Sequence, residues 1–164
     1  MAILQSAVSK DQRKSKGETM RVNLVSVAME TPIVFDRRKC VQAPAQAYEM
    51  IVAAMPNLTT SPQEMFIVFH LTSRYQYISH QIVGMGTSTE TTVDPASVMR
   101  GTLLRAAPAI LCAHNHPSGD PTPSEADKNI TKRLKATCEI MNVEFLDHIV
   151  IAGNEFVSIK EMES

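Results

Sequence analysis

The stretch HNHPSGDPTPSEAD, residues 114–127, combines two histidines and acidic residues with turn-forming glycine and prolines. Side chains two positions apart on a strand point to the same face, so His114 and His116 can direct both imidazoles at one point. The turn then leads to Ser124, where a helix is predicted to begin, and the first turn of that helix carries Asp127. If the loop folds back over the strand end, Asp127 becomes a third ligand. Two imidazoles and one carboxylate suit Zn²⁺ and leave a fourth tetrahedral position for water.

Hydrolysis at such a centre would need two further groups. Zinc lowers the pKa of a bound water to about 7 and can polarise a carbonyl. A nearby carboxylate must then carry a proton, and a hydrogen-bond donor must stabilise the oxyanion. Glu64, at the start of the predicted strand EMFIVFHL, is a candidate for the first role, and Ser124 is a candidate for the second.

The same residues also allow a purely structural interpretation. Ser-x-x-Asp at a helix start is close to a capping box, in which Ser124 and Asp127 bond to each other's backbone N–H. An isolated His-x-His at a strand end is not by itself a metal site. A helix cap, however, needs neither the histidines nor the sharp turn, and a metal site needs all of them. The combination therefore favours a metal site.

The elements that must position these residues follow from hydrophobic periodicity and turn residues. In chain order they are strands at 22–29 and 31–36, a helix at 43–55, a β-hairpin at 61–87, a helix at 94–107, an apolar strand at 108–114, an amphipathic helix beginning near Ser124, and two strands at 143–159. Strands interleaved with helices predict an α/β sandwich with a mixed sheet. The continuous apolar strand belongs near its centre.

Length and composition indicate one soluble globular domain. The chain has 164 residues, 44% of them hydrophobic, and a net charge of -1, so it can form one core and presents no strong field toward nucleic acid or a membrane. We expect a flexible N-terminal arm at residues 1–20 and a single domain at 21–164. No apolar run reaches the ~18 residues of a membrane span, and the apolar start is too short for a signal peptide, so we expect a cytoplasmic protein.

The remaining polar residues are assigned structural roles. His148 is expected to be hydrogen-bonded rather than a ligand, with Asp147 as an alternative partner for a ligand histidine. His70 and His80 are expected at surface or hydrogen-bonded strand positions, and Asp120 is expected to form the turn. The three cysteines form no CxxC pair, so we expect them to be reduced and buried, with Cys112 packing in the core.

The motif resembles a known family. His-x-His, seven residues and Ser-x-x-Asp match the JAMM signature without a gap, and HNHPSGxPxPSxxDxxxT followed by LDHIVIAG is similar to the RadC branch of the JAB/MPN metalloprotease-like domains. The resemblance covers about residues 61–159. It implies a cytidine-deaminase-like α/β/α sandwich that binds Zn²⁺ through His114, His116 and Asp127. It also implies that Glu64 is the general base and Ser124 the oxyanion-stabilising residue.

The resemblance implies a hydrolase of peptide or isopeptide bonds, acting on a peptide or a ubiquitin-like protein. The alternative is a DNA-repair-associated or DNA-binding accessory protein with a structural metal, in which the basic stretch 5–20 touches phosphates. Full-length RadC proteins carry an N-terminal helix-hairpin-helix region, of which residues 1–60 give no sign. A metal-dependent nuclease would require more carboxylates or a second metal. The substrate and the oligomeric state stay open.

Overall fold

The computed structural model describes residues 39–86 and 93–162, so the predicted arm at 1–20 and the strands predicted at 22–29 and 31–36 lie outside the described residues. The elements, in chain order, are α1 (Pro44–Ala54), β1 (Glu64–Leu71), β2 (Tyr77–Gly86), α2 (Pro95–Leu104), β3 (Ala109–Asn115), α3 (Glu125–Ile140), β4 (Glu144–Ala152), β5 (Glu155–Ser158) and the short helix α4 (Ile159–Met162), with a 3-10 turn at Leu58–Thr60. Every element predicted after residue 42 is confirmed. The 3-10 turn and α4 are additions that the sequence pattern did not predict.

The five strands form one mixed sheet with the order β2-β1-β3-β4-β5. β1 is antiparallel to both β2 and β3, β3 is parallel to β4, and β4 is antiparallel to β5. β3 is central and all seven of its residues are buried, as the apolar sequence predicted. Because β3 and β4 are parallel, the chain must cross between them, and α3 is that crossover. The start of α3 therefore lies at the end of β3 where the histidines stand.

Helices cover both faces of the sheet. On one face, α1 packs against a core that includes Ile67, Leu111 and Ile149. On the other face, α2 and α3 pack against a second core that includes Val68 and Cys112. The predicted α/β/α sandwich is confirmed. Within the described part of the chain, no helix is long and apolar enough to cross a membrane.

The cysteines are all free thiols. Cys112 and Cys138 are buried and pack in the core between the sheet and its helices, as expected. Burial raises the pKa of Cys112 well above its ordinary value, so its thiol stays protonated. Cys40 is only partly buried, so the prediction that it is buried is wrong. It lies outside the main strands, where it forms an isolated bridge with Gln76.

Asn115 ties the end of β3 to the start of β1. Its side-chain oxygen accepts the backbone N–H of Met65 at 2.9 Å. Its amide nitrogen donates to the carbonyl oxygens of Gln63 at 3.0 Å and Ser61 at 3.4 Å. These bonds hold the backbone on both sides of Glu64, and Asn115 itself is 3% exposed. The first residue of β1 is therefore placed by a side chain from the middle of the His-x-His motif.

Replacing Asn115 with Asp should destabilise the fold. The variant keeps the shape and one acceptor, but a carboxylate cannot donate to two carbonyl oxygens, and it buries a charge beside them. We expect the free energy of unfolding to fall by about 3 kcal/mol. Urea unfolding checks this, with Asn129→Asp on the exposed face of α3 as the matched control, expected to change it by less than about 0.5 kcal/mol. Equal effects of the two variants would contradict the role of Asn115.

His70 corrects a prediction. It was expected at a surface or fully hydrogen-bonded position, but it is completely buried, and its Nε2 has no hydrogen-bond partner among the described residues. Only its Nδ1 has a partner, the Ser79 hydroxyl at 3.3 Å. The reason is that His70 shares a face of β1 with Val68, and α2 and α3 cover that face of the sheet. His80, in contrast, is hydrogen-bonded as expected, through Nδ1 to the Tyr77 hydroxyl at 2.7 Å.

The burial of His70 predicts an acid-sensitive contribution to stability. Burial, together with the charge of Arg105, lowers the pKa of His70 to about 4 from 6.5. The unfolded chain therefore binds a proton between pH 6.5 and 4 that the folded chain does not bind, and stability is lost as the pH falls through that window. For His70→Leu, the loss of unfolding free energy between pH 7 and pH 4 should be smaller by about 3 kcal/mol than for the unmodified protein. Parallel pH dependences in urea unfolding would contradict this.

Candidate metal centre

His114 and His116 are held by the sheet. His114 is the sixth residue of β3 and is completely buried, paired in register with Phe66 of β1. His116 follows the strand, but its backbone N–H donates to the carbonyl of Ile151 at 2.7 Å, so the ladder with β4 continues by one residue. This pairing keeps both imidazoles on one face. The chain then turns at Gly119, whose φ of +86° is in the region that favours glycine.

The start of α3 supplies the third group. Ser124 is the N-cap and forms a complete capping box with Asp127. The backbone N–H of Ser124 donates to Asp127 Oδ2 at 2.7 Å, its hydroxyl donates to the same oxygen at 2.6 Å, and its Oγ accepts the N–H of Asp127 at 3.2 Å. The cap and the metal-ligand arrangement are therefore not alternatives. The cap is what directs the Asp127 carboxylate toward the histidines.

The donor atoms of the three residues converge. The Nε2 atoms of His114 and His116 are 2.9 Å apart. Asp127 Oδ1 is 3.2 Å from His114 Nε2, and Oδ2 is 3.6 Å from His116 Nε2. A tetrahedral ion with bonds of about 2.0–2.1 Å has ligand atoms separated by about 3.3 Å. The observed distances fit that value, so these residues could hold a metal ion.

The outer nitrogen of each imidazole is hydrogen-bonded. His116 Nδ1 is 2.7 Å from the carbonyl oxygen of Asp120, which can only accept, so Nδ1 carries a proton and, in the neutral imidazole, Nε2 is bare. His114 Nδ1 is 2.8 Å from Nε2 of His148. Asp120 also forms the turn, as predicted, by accepting the backbone N–H of Thr122 at 2.9 Å. Outer hydrogen bonds of this kind orient histidines that bind metals.

The electrostatics favour a cation between the three groups. Burial acts to raise the pKa of the Asp127 carboxyl, but the two imidazoles and the Ser124 hydroxyl outweigh it and hold the pKa well below its ordinary range. The hydrogen-bonding carboxylate of Asp127 raises the pKa of His116 above its ordinary value, against partial burial. Both shifts have one cause, a negative charge that draws positive charge toward it.

Glu64 lies on the same face as the ligand set. It is two residues before Phe66, so the two side chains share a face of β1, and the Phe66 ring stacks on His114 with ring centres 6.1 Å apart. Its carboxylate is near enough to contribute to the raised pKa of His116. Within residues 39–86 and 93–162, that carboxylate makes no hydrogen bond or ion pair. It is half-buried and available to a substrate or a water.

Ser124 is exposed, and its hydroxyl proton is used within the capping box. The structure therefore gives it a capping role directly, and the role as an oxyanion donor stays a prediction. His148 is hydrogen-bonded and buried, as expected, and burial lowers its pKa well below the ordinary value. Asp147 does not contact a ligand histidine: it accepts from the Ser158 hydroxyl at 2.7 Å and from the backbone of α4. The suggestion that it supports a ligand is wrong, because it points to the other face of β4.

Three residues around the site were given no role by the sequence analysis. Phe66 covers His114, Asn115 holds the backbone beside Glu64, and Thr131 hydrogen-bonds His148. Thr131 had a signal, because it is the last residue of the motif HNHPSGxPxPSxxDxxxT and lies four residues after Asp127, on the same face of α3. The other two depend on which strands are neighbours, and no local pattern reports that.

Comparison with known proteins finds one matching family and several similar relatives. A family model described as the RadC-like JAB domain matches residues 41–164, which extends the predicted similarity to include α1. A UPF0758 protein of Bacillus cereus (strain B4264) is 38% identical over 127 residues, which is 77% of this chain and 55% of the relative. One from Geobacillus sp. (strain WCH70) is 35% identical over the same length and coverage. One from Bacillus anthracis (strain CDC 684 / NRRL 3495) is 43% identical over 99 residues, 60% of this chain and 44% of the relative.

The chain thus spans about half the length of the curated relatives that it matches. The family match covers the sheet, the three long helices and all residues of the site. Together with the α/β/α fold and the convergent His-His-Asp group, this shows that the chain belongs to the family of RadC-like JAB domains.

Proposed function

We propose that this protein is a zinc-dependent hydrolase of the JAMM type that cleaves peptide or isopeptide bonds. The observation that carries the proposal is the convergence of two imidazole nitrogens and one carboxylate, with distances of 2.9–3.6 Å between them. Glu64 faces the same space from β1. The ligand set and the proton-transferring carboxylate of a hydrolytic site are therefore supplied by two adjacent strands and one helix.

The donor set favours zinc. Two neutral imidazoles and one carboxylate form a three-ligand set that is typical of catalytic zinc, whereas magnesium and calcium prefer oxygen ligands. When bound, zinc supplies a water of lowered pKa and polarises the scissile carbonyl. The side chains of His116 and Asp127 are 16% and 14% exposed, so the centre is open to solvent on one side. His114, at 1%, anchors it on the buried side.

In this proposal each residue has a separate task. His114, His116 and Asp127 hold the ion, and Glu64 accepts the proton of the attacking water and returns it to the leaving amine. Ser124 donates to the oxyanion that develops from the carbonyl oxygen. For that, its hydroxyl must rotate away from Asp127 Oδ2, and the backbone N–H of Ser124 then continues to hold the carboxylate.

We favour amide hydrolysis over phosphoester hydrolysis because the described residues include one group that could hold a metal, not two. Two-metal phosphohydrolases need a second set of carboxylates about 4 Å from the first ion. In the part of the chain that the structure describes, His114, His116 and Asp127 are the only group that could hold a metal. The substrate class that we propose is a peptide or a ubiquitin-like protein tail, in keeping with the JAMM-like motif.

Replacing Glu64 with Gln should separate metal binding from catalysis. Glu64 is not a ligand, so the variant should retain about one zinc per chain, while cleavage of peptide and lysine-isopeptide substrates falls by about 10²-fold or more through loss of the general base. Zinc content and cleavage of a fluorogenic substrate panel check this. The matched control is Glu49→Gln on the exposed side of α1, on the other face of the sheet, which should leave both quantities unchanged.

The outcomes that would reject the assignment are distinct. Loss of zinc from the Glu64→Gln variant would make Glu64 a ligand rather than a base. Undiminished cleavage in the variant would remove it from catalysis. A zinc-loaded protein that cleaves no member of the panel but binds DNA in a salt-sensitive manner would favour the accessory DNA-binding function instead.

A further inference from the structure

A series of three hydrogen bonds lies behind His114, the buried histidine of the candidate metal centre. His114 Nδ1 is 2.8 Å from His148 Nε2, and His148 Nδ1 is 2.6 Å from the hydroxyl oxygen of Thr131. The Thr131 hydroxyl in turn donates to the backbone carbonyl of Asp127 at 2.6 Å. The series thus connects one residue of the candidate metal centre, His114, to another, Asp127. His114, His148 and Thr131 are 0%, 0% and 4% exposed, so protein groups rather than solvent satisfy these atoms.

The positions of the protons in this series of hydrogen bonds follow from the number of donors. A threonine hydroxyl has one proton, and a carbonyl oxygen can only accept, so the proton of Thr131 lies toward Asp127. Thr131 Oγ1 must then accept from His148 Nδ1–H. If His114 binds a metal through Nε2, its Nδ1 carries a proton and needs an acceptor. The bare Nε2 of a neutral His148 is that acceptor.

The two ligand histidines differ in how their tautomers are determined. The acceptor for His116 is the carbonyl oxygen of Asp120, which can accept a hydrogen bond but cannot donate one. The acceptor for His114 is an imidazole, which accepts at Nε2 in one tautomer and donates there in the other. In the second tautomer, His148 Nε2–H would force His114 to accept at Nδ1, and the His114 proton would then occupy Nε2, the metal-binding atom. Something must therefore determine the tautomer of His148.

We propose that Thr131 and His148 are positioning residues that hold His114 in the tautomer whose Nε2 can bind the metal. Thr131 determines which atom donates in each hydrogen bond of the series, because its only proton is donated to Asp127. His148 then donates from Nδ1 to Thr131 and accepts at Nε2 from His114. The proposal rests on the metal centre of the proposed function, and it does not depend on which bond is cleaved. Carbonyl or carboxylate partners are the usual acceptors for a ligand imidazole, so a second histidine in this place requires such a determinant.

Thr131→Val tests the proposal, because it keeps the shape of the side chain and removes the hydroxyl. His148 Nδ1–H then loses its acceptor, and the competing tautomer becomes accessible. We expect zinc affinity, measured by competition with a chromophoric chelator, to fall 10- to 100-fold. Thr131→Ser, which restores the hydroxyl, should return it to within about threefold of the unmodified protein.

The chain offers a matched control on the same helix. Thr137 makes the same hydroxyl-to-carbonyl bond, to Arg133 at 2.7 Å, and has no hydrogen bond to an imidazole among the described residues. Thr137→Val removes an equivalent backbone bond from α3 and should leave zinc affinity unchanged. A fall in both valine variants would show that the helix alone is being perturbed, and it would overturn the proposal. Zinc affinity of Thr131→Val equal to that of the unmodified protein would also overturn it.

A direct measurement covers the case in which a variant does not fold. Long-range ¹H–¹⁵N correlations of ¹⁵N-histidine-labelled protein distinguish Nδ1–H from Nε2–H imidazoles. In the unmodified full chain, with and without zinc, His148 should carry its proton on Nδ1. A proton on Nε2 would overturn the proposal. Because neither readout involves a substrate, a protein that cleaves no peptide but shows the predicted tautomer and zinc affinities would reject the proposed hydrolysis and retain this inference.

Discussion

The lone pairs of two neutral imidazoles and the charge of a carboxylate repel one another unless a cation or a proton lies between them, and this fold holds their donor atoms 2.9–3.6 Å apart. That convergence is the constraint on which the rest of the structure depends. It requires rigid supports on at least two elements, because a single flexible loop would let the groups separate. The supports are the central strand β3 and the first turn of α3, joined by the loop 116–124.

The crossover topology brings the start of α3 next to the histidines. α3 returns the chain from β3 to the parallel strand β4, so its first turn must begin beside the end of β3. The capping box that any such helix start can use then directs the Asp127 carboxylate at the histidines. One turn further along, Thr131 joins α3 to His148 of β4. The same helix therefore forms the fold's crossover, supplies one of the three candidate ligands and contacts the histidine that lies behind a second one.

Sequence alone predicted what is local in this molecule. The three candidate ligands, the turn and the helix cap all lie within residues 114–127, and the strand periodicity orients two of the candidates, so the site could be predicted without knowing the fold. Asn115 could not be assigned, because a spacer between two ligands reveals its role only when β1 lies beside β3. His70 was misjudged because an alternating hairpin strand is expected to leave one face open, whereas helices cover both faces of β1 in this fold. Strand order decides the role of Asn115, and helix packing on the sheet decides the burial of His70.

The most direct test of the central claim is diffraction from crystals grown with zinc, with anomalous data collected above and below the zinc absorption edge. The account predicts one anomalous peak about 2.0–2.2 Å from His114 Nε2, His116 Nε2 and a carboxylate oxygen of Asp127, with His148 bonded to His114 rather than to the ion. A peak elsewhere in the chain, or coordination through His148 or through an Nδ1 atom, would contradict it.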